Sequence, residues 1–106
     1  MSSPVTVLAP IKLAPGKTEA DLLAASAQFQ KDFAGKEAGI LRRELVRNPD
    51  GTYLDIVQFK SEDNAKDVIA REMESPACAA FFSVMDLTGF DENAEMDFHV
   101  TLEQHG

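Results

Sequence analysis

The chain has one cysteine, Cys78, among its 106 residues. A single thiol forms no internal disulfide, so nothing in the sequence points to an oxidising compartment. Long apolar runs are missing too. A membrane-spanning helix needs about 20 apolar residues in succession, and no stretch approaches that. Met1-Ser2-Ser3-Pro4 has neither the basic nor the apolar region of a secretion signal. A cytoplasmic location is the expectation. Basic residues are scarce: 10 Lys and Arg stand against 18 Asp and Glu, for a formal net charge of −8. Such a surface repels nucleic-acid phosphates and anionic membranes, so neither is an expected partner. No His/Cys/carboxylate set has ligand spacing, and no metal is expected. Phosphate-binding Gly-rich loops and nucleophile elbows are absent as well. No cofactor is implied.

What is present is an ordered series of segments within one domain, residues 1–106. Val5 to Leu13 is apolar on both faces, as a central strand should be. Pro10 marks a point where pairing can end. Ala14-Pro15-Gly16-Lys17 is a turn, and Thr18 follows as an N-cap with Asp21 three residues on, in capping-box spacing. Leu22, Ser26, Phe29 and Phe33, with Leu23 and Ala25, make one helical stripe that faces a sheet. Gly35 is placed to end that helix. Gly39 to Arg47 and Thr52 to Phe59 flank Asn48-Pro49-Asp50-Gly51, the turn of an antiparallel hairpin.

Ser61 caps a second helix whose buried stripe is Ala65, Val68, Ile69 and Met73. Pro76 breaks it and starts a short helix to Met85, with Phe81, Phe82 and Met85 turned inward. Thr88 to Asn93 reads as loop. Glu95 to Leu102 alternates, with Met96, Phe98, Val100 and Leu102 on one face and His99 on the other. Strand, helix, strand, strand, helix, strand is the order of an α+β, ferredoxin-like βαββαβ domain. One layer of helices leaves the other sheet face open, and a second copy of the chain is its simplest cover.

With these features placed, the chain resembles the antibiotic-biosynthesis-monooxygenase-like dimeric α/β-barrel family from about Val5 to Val100. The residues that carry the resemblance are the Leu13-Ala14-Pro15-Gly16-Lys17 corner, Gly39, Ser61-Glu62 after the third strand, and Ser75-Pro76. The resemblance implies an antiparallel sheet in the order 4-1-3-2 and a homodimer with the two sheets face to face. It also implies a cavity between helices and sheet or between the sheets. Members include cofactor-independent oxygenases of phenolic polyketides and quinones, and haem-degrading enzymes. The latter use an Asn on the first strand, a Trp ending the third and a His on the second helix. The matching positions here are Ala9, Phe59 and a His-free stretch from Arg71 to Cys78, and the chain has no Trp. Haem degradation is therefore not expected, and a small aromatic or quinone-like ligand is.

His99 is the candidate base, since imidazole titrates near neutrality; the alternative is an edge-strand histidine facing solvent or an interface. Tyr53 is the candidate hydrogen-bond partner of a substrate oxygen, with aromatic anchoring of an interface as its alternative. Asp55 and Phe59 share the Tyr53 face, and with Arg42 they are the candidate substrate-binding residues. The alternative for Asp55 is a cross-strand pair with Arg42, Glu44 or their copies in a partner chain. Arg42, Arg43 and Arg47 can clamp an anion or protect an edge strand. Cys78 near a helix start has the place of a reactive thiol, but its neighbours read as core. A non-catalytic ligand-binding or stress-response dimer stands as the alternative to an enzyme.

Overall fold

Val5, Val7 and Ile11 point to the inner face of the central strand β1 (Val5–Ile11) and are buried there. The structure is a computed structural model, and it describes residues 3–87 and 97–105. The described elements continue as α1 (Glu19–Asp32), a 3-10 turn (Ala34–Lys36), β2 (Ile40–Arg47), β3 (Tyr53–Phe59), α2 (Glu62–Glu72), α3 (Pro76–Phe82) and β4 (His99–Val100). All strand pairs are antiparallel. The sheet runs β2-β3-β1-β4, which from the opposite edge is 4-1-3-2. The helices pack on one face only. No helix among the described residues is long and apolar enough to cross a membrane.

Local chemistry explains the helix starts. Asp21 N–H donates to Thr18 Oγ at 3.2 Å, and Thr18 N–H donates to Asp21 Oδ2 at 2.9 Å, a complete capping box. Ser61 and Ser75 accept from Asn64 and Ala77 N–H in the same manner. The β2–β3 hairpin turns at Gly51, whose φ of +88° suits a residue without Cβ. Its register, Arg47↔Tyr53, Leu45↔Asp55 and Arg43↔Val57, fixes which side chains share a face.

Two buried clusters make the core. One joins Ile11, Leu22, Phe29, Tyr53, Cys78, Phe81 and Val84 under α1 and α3. The other joins Val5, Val7, Phe59, Ala65 and Val68 under α2.

Several expectations need correction. Pro10 does not end β1; it pairs with Leu54, and Ile11 still pairs with Tyr53. Among the described residues β4 reaches β1 only at Val5 and Thr6, so no described part of β4 ladders onto the side of Pro10 without a donor. Gly35 is not a left-handed cap. α1 ends at Asp32, and Gly35 lies in the 3-10 turn, where an added Cβ would sit 2.7 Å from the Gln30 carbonyl oxygen. Leu23 and Met73 are 54% and 53% exposed rather than buried. The short third helix stops at Phe82, although Met85 still bridges to Leu13. Among the described residues the last strand pairs at His99 and Val100 alone, and Leu102 is 90% exposed. β1 begins at Val5, so β4 runs out of partner there. The expected loop from Thr88 to Asn93, and Glu95 and Met96, lie outside the described residues.

Candidate functional site

The sheet separates the predicted site residues. Strand alternation and the pairings Thr6↔His99 and Arg42↔Gln58 place His99 and Arg42 on the open face. Tyr53, Asp55 and Phe59 pair with Ile11, Ala9 and Val5, which puts them on the helix face. The five do not converge, and His99 and Asp55 cannot meet one small ligand within this chain.

On the open face His99 is exposed at the edge strand. Arg42 is exposed and pairs with Glu44 at 3.4 Å. Beside them the segment after β4 lies over Gln58, whose amide nitrogen donates to Thr101 Oγ at 3.2 Å and to Gln104 Oε1 at 3.1 Å. Gln58 is buried by that contact although it points away from the helices. A hollow of about 160 Å³ remains among Thr6, Arg42, Ile56, Gln58 and residues 101, 103 and 104.

The helix face carries a richer arrangement, in two steps along β2 and β3. At the outer step, a cleft of about 240 Å³ opens between the start of α1 and the hairpin. Leu22, Leu23 and Leu45 supply its apolar lining, and Glu19, Arg47 and Tyr53 its polar end; Val46 borders it from β2, with its side chain on the other face by alternation. Glu19 Oε1 accepts from Arg47 Nη1 at 2.9 Å and from the Tyr53 hydroxyl at 3.2 Å. Loss of solvent pushes the Tyr53 phenol above its ordinary pKa, and the Glu19 carboxylate adds to that. Tyr53 thus holds its proton and donates.

One register step inward, Arg43 Nε donates to Asp55 Oδ2 at 3.1 Å. Both side chains are buried, at 8% and 9% exposure. Arg43 also donates to the Ser26 carbonyl at 3.4 Å, to Gln30 Oε1 at 3.2 Å and to the Ser26 hydroxyl. Its guanidinium carbon lies 5.1 Å from the Phe29 ring centre and 5.3 Å from that of Phe81. An arginine suits this place, because the planar guanidinium stacks on rings while its rim donates. Burial pushes the Asp55 carboxyl up, and Arg43 opposes that in part. Near it, burial pushes Glu72 up to about 7, with repulsion from Asp55 adding and Arg43 opposing.

Phe59 belongs to the other core cluster, at 2% exposure, away from both steps. Cys78 is buried, and that burial, with Glu72 nearby, pushes its thiol up to about 12, the opposite of a reactive cysteine. Asp55 does form the cross-strand pair considered for it, with Arg43 rather than Arg42 or Glu44. The residues that sequence reasoning passed over are Glu19 and Glu72; Ser26 it placed on the sheet-facing stripe without a partner. Glu72 gave no signal, because a charged residue at a helix end normally reads as solvated. Among the described residues, no group of three or more His, Cys, Asp or Glu is placed to hold a metal ion.

No protein-family model matches this sequence, and no curated protein does. Solved structures do match. A single-residue variant of SnoaB, a cofactor-independent oxygenase from Streptomyces nogalater, superposes with a TM-score of 0.70 at 17% identity over 97% of each chain. A candidate antibiotic biosynthesis monooxygenase from Bordetella bronchiseptica gives 0.69 at 19% identity, over 98% of this chain and 100% of that one. One from Caulobacter crescentus gives 0.66 at 18% identity, over 96% and 92%. The chain has the antibiotic-biosynthesis-monooxygenase-like fold.

Proposed function

We propose that this protein is a cofactor-independent monooxygenase acting on a small hydroxyaromatic or quinone-like compound. The observation that carries the reading is the helix-face cleft, where Tyr53, Glu19 and Arg47 stand at one end of an apolar lining. A flat ring suits the leucine walls, with its oxygen toward the polar end. Glu19 takes the phenolic proton, and the Arg47 charge and Tyr53 hydroxyl hold the resulting oxyanion. The electron-rich carbon para to that oxygen gives its electrons to dioxygen, and a C–O bond forms. The hydroperoxide then loses water as its O–O bond breaks and the ring C–H proton leaves. A phenol and dioxygen so give a quinone and water.

The probe is 1-naphthol, with oxygen uptake and 1,4-naphthoquinone as readouts. Tyr53→Phe should slow uptake by about 100-fold, the scale of one lost oxyanion donor, with little change in stability. Uptake equal to that of the wild type would remove Tyr53 from the chemistry. A second reading, a non-catalytic ligand-binding or stress-response protein, is favoured by the place of His99 on the face opposite the cleft. Saturable binding of 1,4-naphthoquinone without any oxygen uptake would select it. Absence of both would overturn both.

The same proposal includes a homodimer. The open face carries Leu8, 43% exposed, among the part-buried Val46, Leu54 and Ile56, a surface better suited to a second copy than to water. His99 and Arg42 would then lie at the interface. Leu8→Arg should halve the mass found by sedimentation equilibrium. A wild-type protein that sediments as a monomer at micromolar concentration sinks this part.

A further inference from the structure

Two arginines on β2 reach α1, one at each end of the cleft. Along the helix face β2 presents Arg47, Leu45 and Arg43 in turn. α1 runs the opposite way across them, so Glu19 meets Arg47 and Ser26 meets Arg43. Arg47 Nη1 donates to Glu19 Oε1 at 2.9 Å, an outer rung. Arg43 donates to the Ser26 hydroxyl and, at 3.4 Å, to the Ser26 carbonyl, an inner rung. Leu22 and Leu23 of α1 and Leu45 of β2, the apolar lining, fall between the two.

The rungs differ in how firmly they are held. Arg47 and Glu19 are both exposed, and such a pair parts at little cost. Arg43 is buried, and Asp55, Gln30 and the Phe29 and Phe81 rings hold it besides Ser26. A group that pushes it aside leaves buried donors and acceptors without partners. The interval is short. Arg47 to Arg43 is about 14 Å of strand and Glu19 to Ser26 about 10 Å of helix, and the end side chains fill part of both. The cleft volume is about 240 Å³. A dry cavity of about 150 Å³ holds one benzene, so there is room for one ring and part of a second. Sideways the cleft is open: β2 is the edge of the described sheet, and Leu23 at the rim is exposed.

We propose that the Arg43–Ser26 rung is the inner wall of the cleft and sets its substrate class: phenols whose further rings lie beside the hydroxyl axis and not in line with it. This rests on the reading that the ligand oxygen sits at the Glu19, Arg47 and Tyr53 end. From there the para position points at the inner rung, and an ortho or fused ring leaves past Leu23. Arg43 is a specificity-determining residue with no part in the chemistry. A para aryl group has to break the Arg43 bonds to Ser26, and a hydrocarbon ring offers no acceptor in exchange.

The test compares 2-phenylphenol with 4-phenylphenol by titration calorimetry on the full chain. The isomers have the same atoms and nearly the same apolar area, so burial alone does not separate them. 4-Phenylphenol should bind at least about tenfold more weakly, the scale of one displaced charge-assisted hydrogen bond. In Arg43→Met with Asp55→Leu, which removes both buried charges together, the isomer ratio should fall toward one, because methionine yields to a ring. Ser26→Ala keeps a good helix former and the Arg43–Asp55 pair, and should lower the ratio in part; it serves if the double variant fails to fold. A merely structural change moves both isomers alike and leaves the ratio. Equal wild-type affinities, a ratio that a folded variant leaves unchanged, or binding of 1-naphthol with neither isomer overturns the proposal. Oxygen uptake from 1-naphthol with equal isomer affinities keeps the oxygenase and removes the wall. Isomer selectivity without uptake keeps the wall and removes the oxygenase. No binding of any of the three removes both.

Discussion

Arg43→Met should lower the free energy of unfolding by about 3–5 kcal/mol at neutral pH, the usual cost of removing one partner from a buried ion pair. The pair is buried on both sides, with Arg43 at 8% and Asp55 at 9% side-chain exposure. Methionine keeps an unbranched chain between the Phe29 and Phe81 rings, so the packing loss is small and the missing charge dominates. Without the guanidinium, Asp55 is left in a site whose burial already raises its pKa. Its folded pKa climbs further, so the folded state binds a proton that the unfolded chain does not. Stability then recovers on acidification, and the deficit should shrink between pH 8 and pH 5. Urea unfolding at those two values tests both parts. A deficit under about 1 kcal/mol with no pH dependence would show the pair to be solvated. Arg43→Met with Asp55→Leu should regain most of the loss, since well-packed apolar residues often replace such a pair at little cost.

That pair also shows how far the sequence can be read. The Asn48-Pro49-Asp50-Gly51 turn sets the hairpin register, and Tyr53, Asp55, Val57 and Phe59 fall on one face by alternation alone. A carboxylate on an apolar face requires a partner. The same register puts Arg43, Leu45 and Arg47 on that face and Arg42 and Glu44 on the other. The turn therefore decides which arginine faces inward. What local pattern does not reveal is which face the helices cover, because β1 is apolar on both. Alternation correctly assigns His99 to the polar face of its strand, and its pairing with Thr6 shows that face to be the open one. Its separation from Tyr53 follows from a pairing between the two ends of the chain, which local pattern does not contain. Glu19 and Glu72 depend likewise on where helix ends come to rest over the sheet. The order of elements, by contrast, is written in caps and turns at single positions. The capping box at Thr18, the hairpin at Gly51 and the break at Pro76 are all present.

Phe59→Ala should cost about 3–5 kcal/mol, as aromatic-to-alanine changes in closed cores do. Phe59 is 2% exposed and packs with Val5, Val7, Ala65 and Val68, a cluster tied down by α2 and the central strand. That location opposes a ligand-contacting role, because the cleft belongs to the other cluster, beside Leu22 and Tyr53. Phe59→Leu separates the two effects. It keeps most of the volume and should cost under about 1.5 kcal/mol. Affinity for 1,4-naphthoquinone should then be unchanged. If Phe59→Leu instead weakens that affinity tenfold while the urea midpoint stays put, the ligand sits under α2 and Phe59 lines its site. If both quantities are unchanged, Phe59 is core. The low identity to the solved neighbours leaves the choice of lining residues to this chain, and this pair of variants reads it directly.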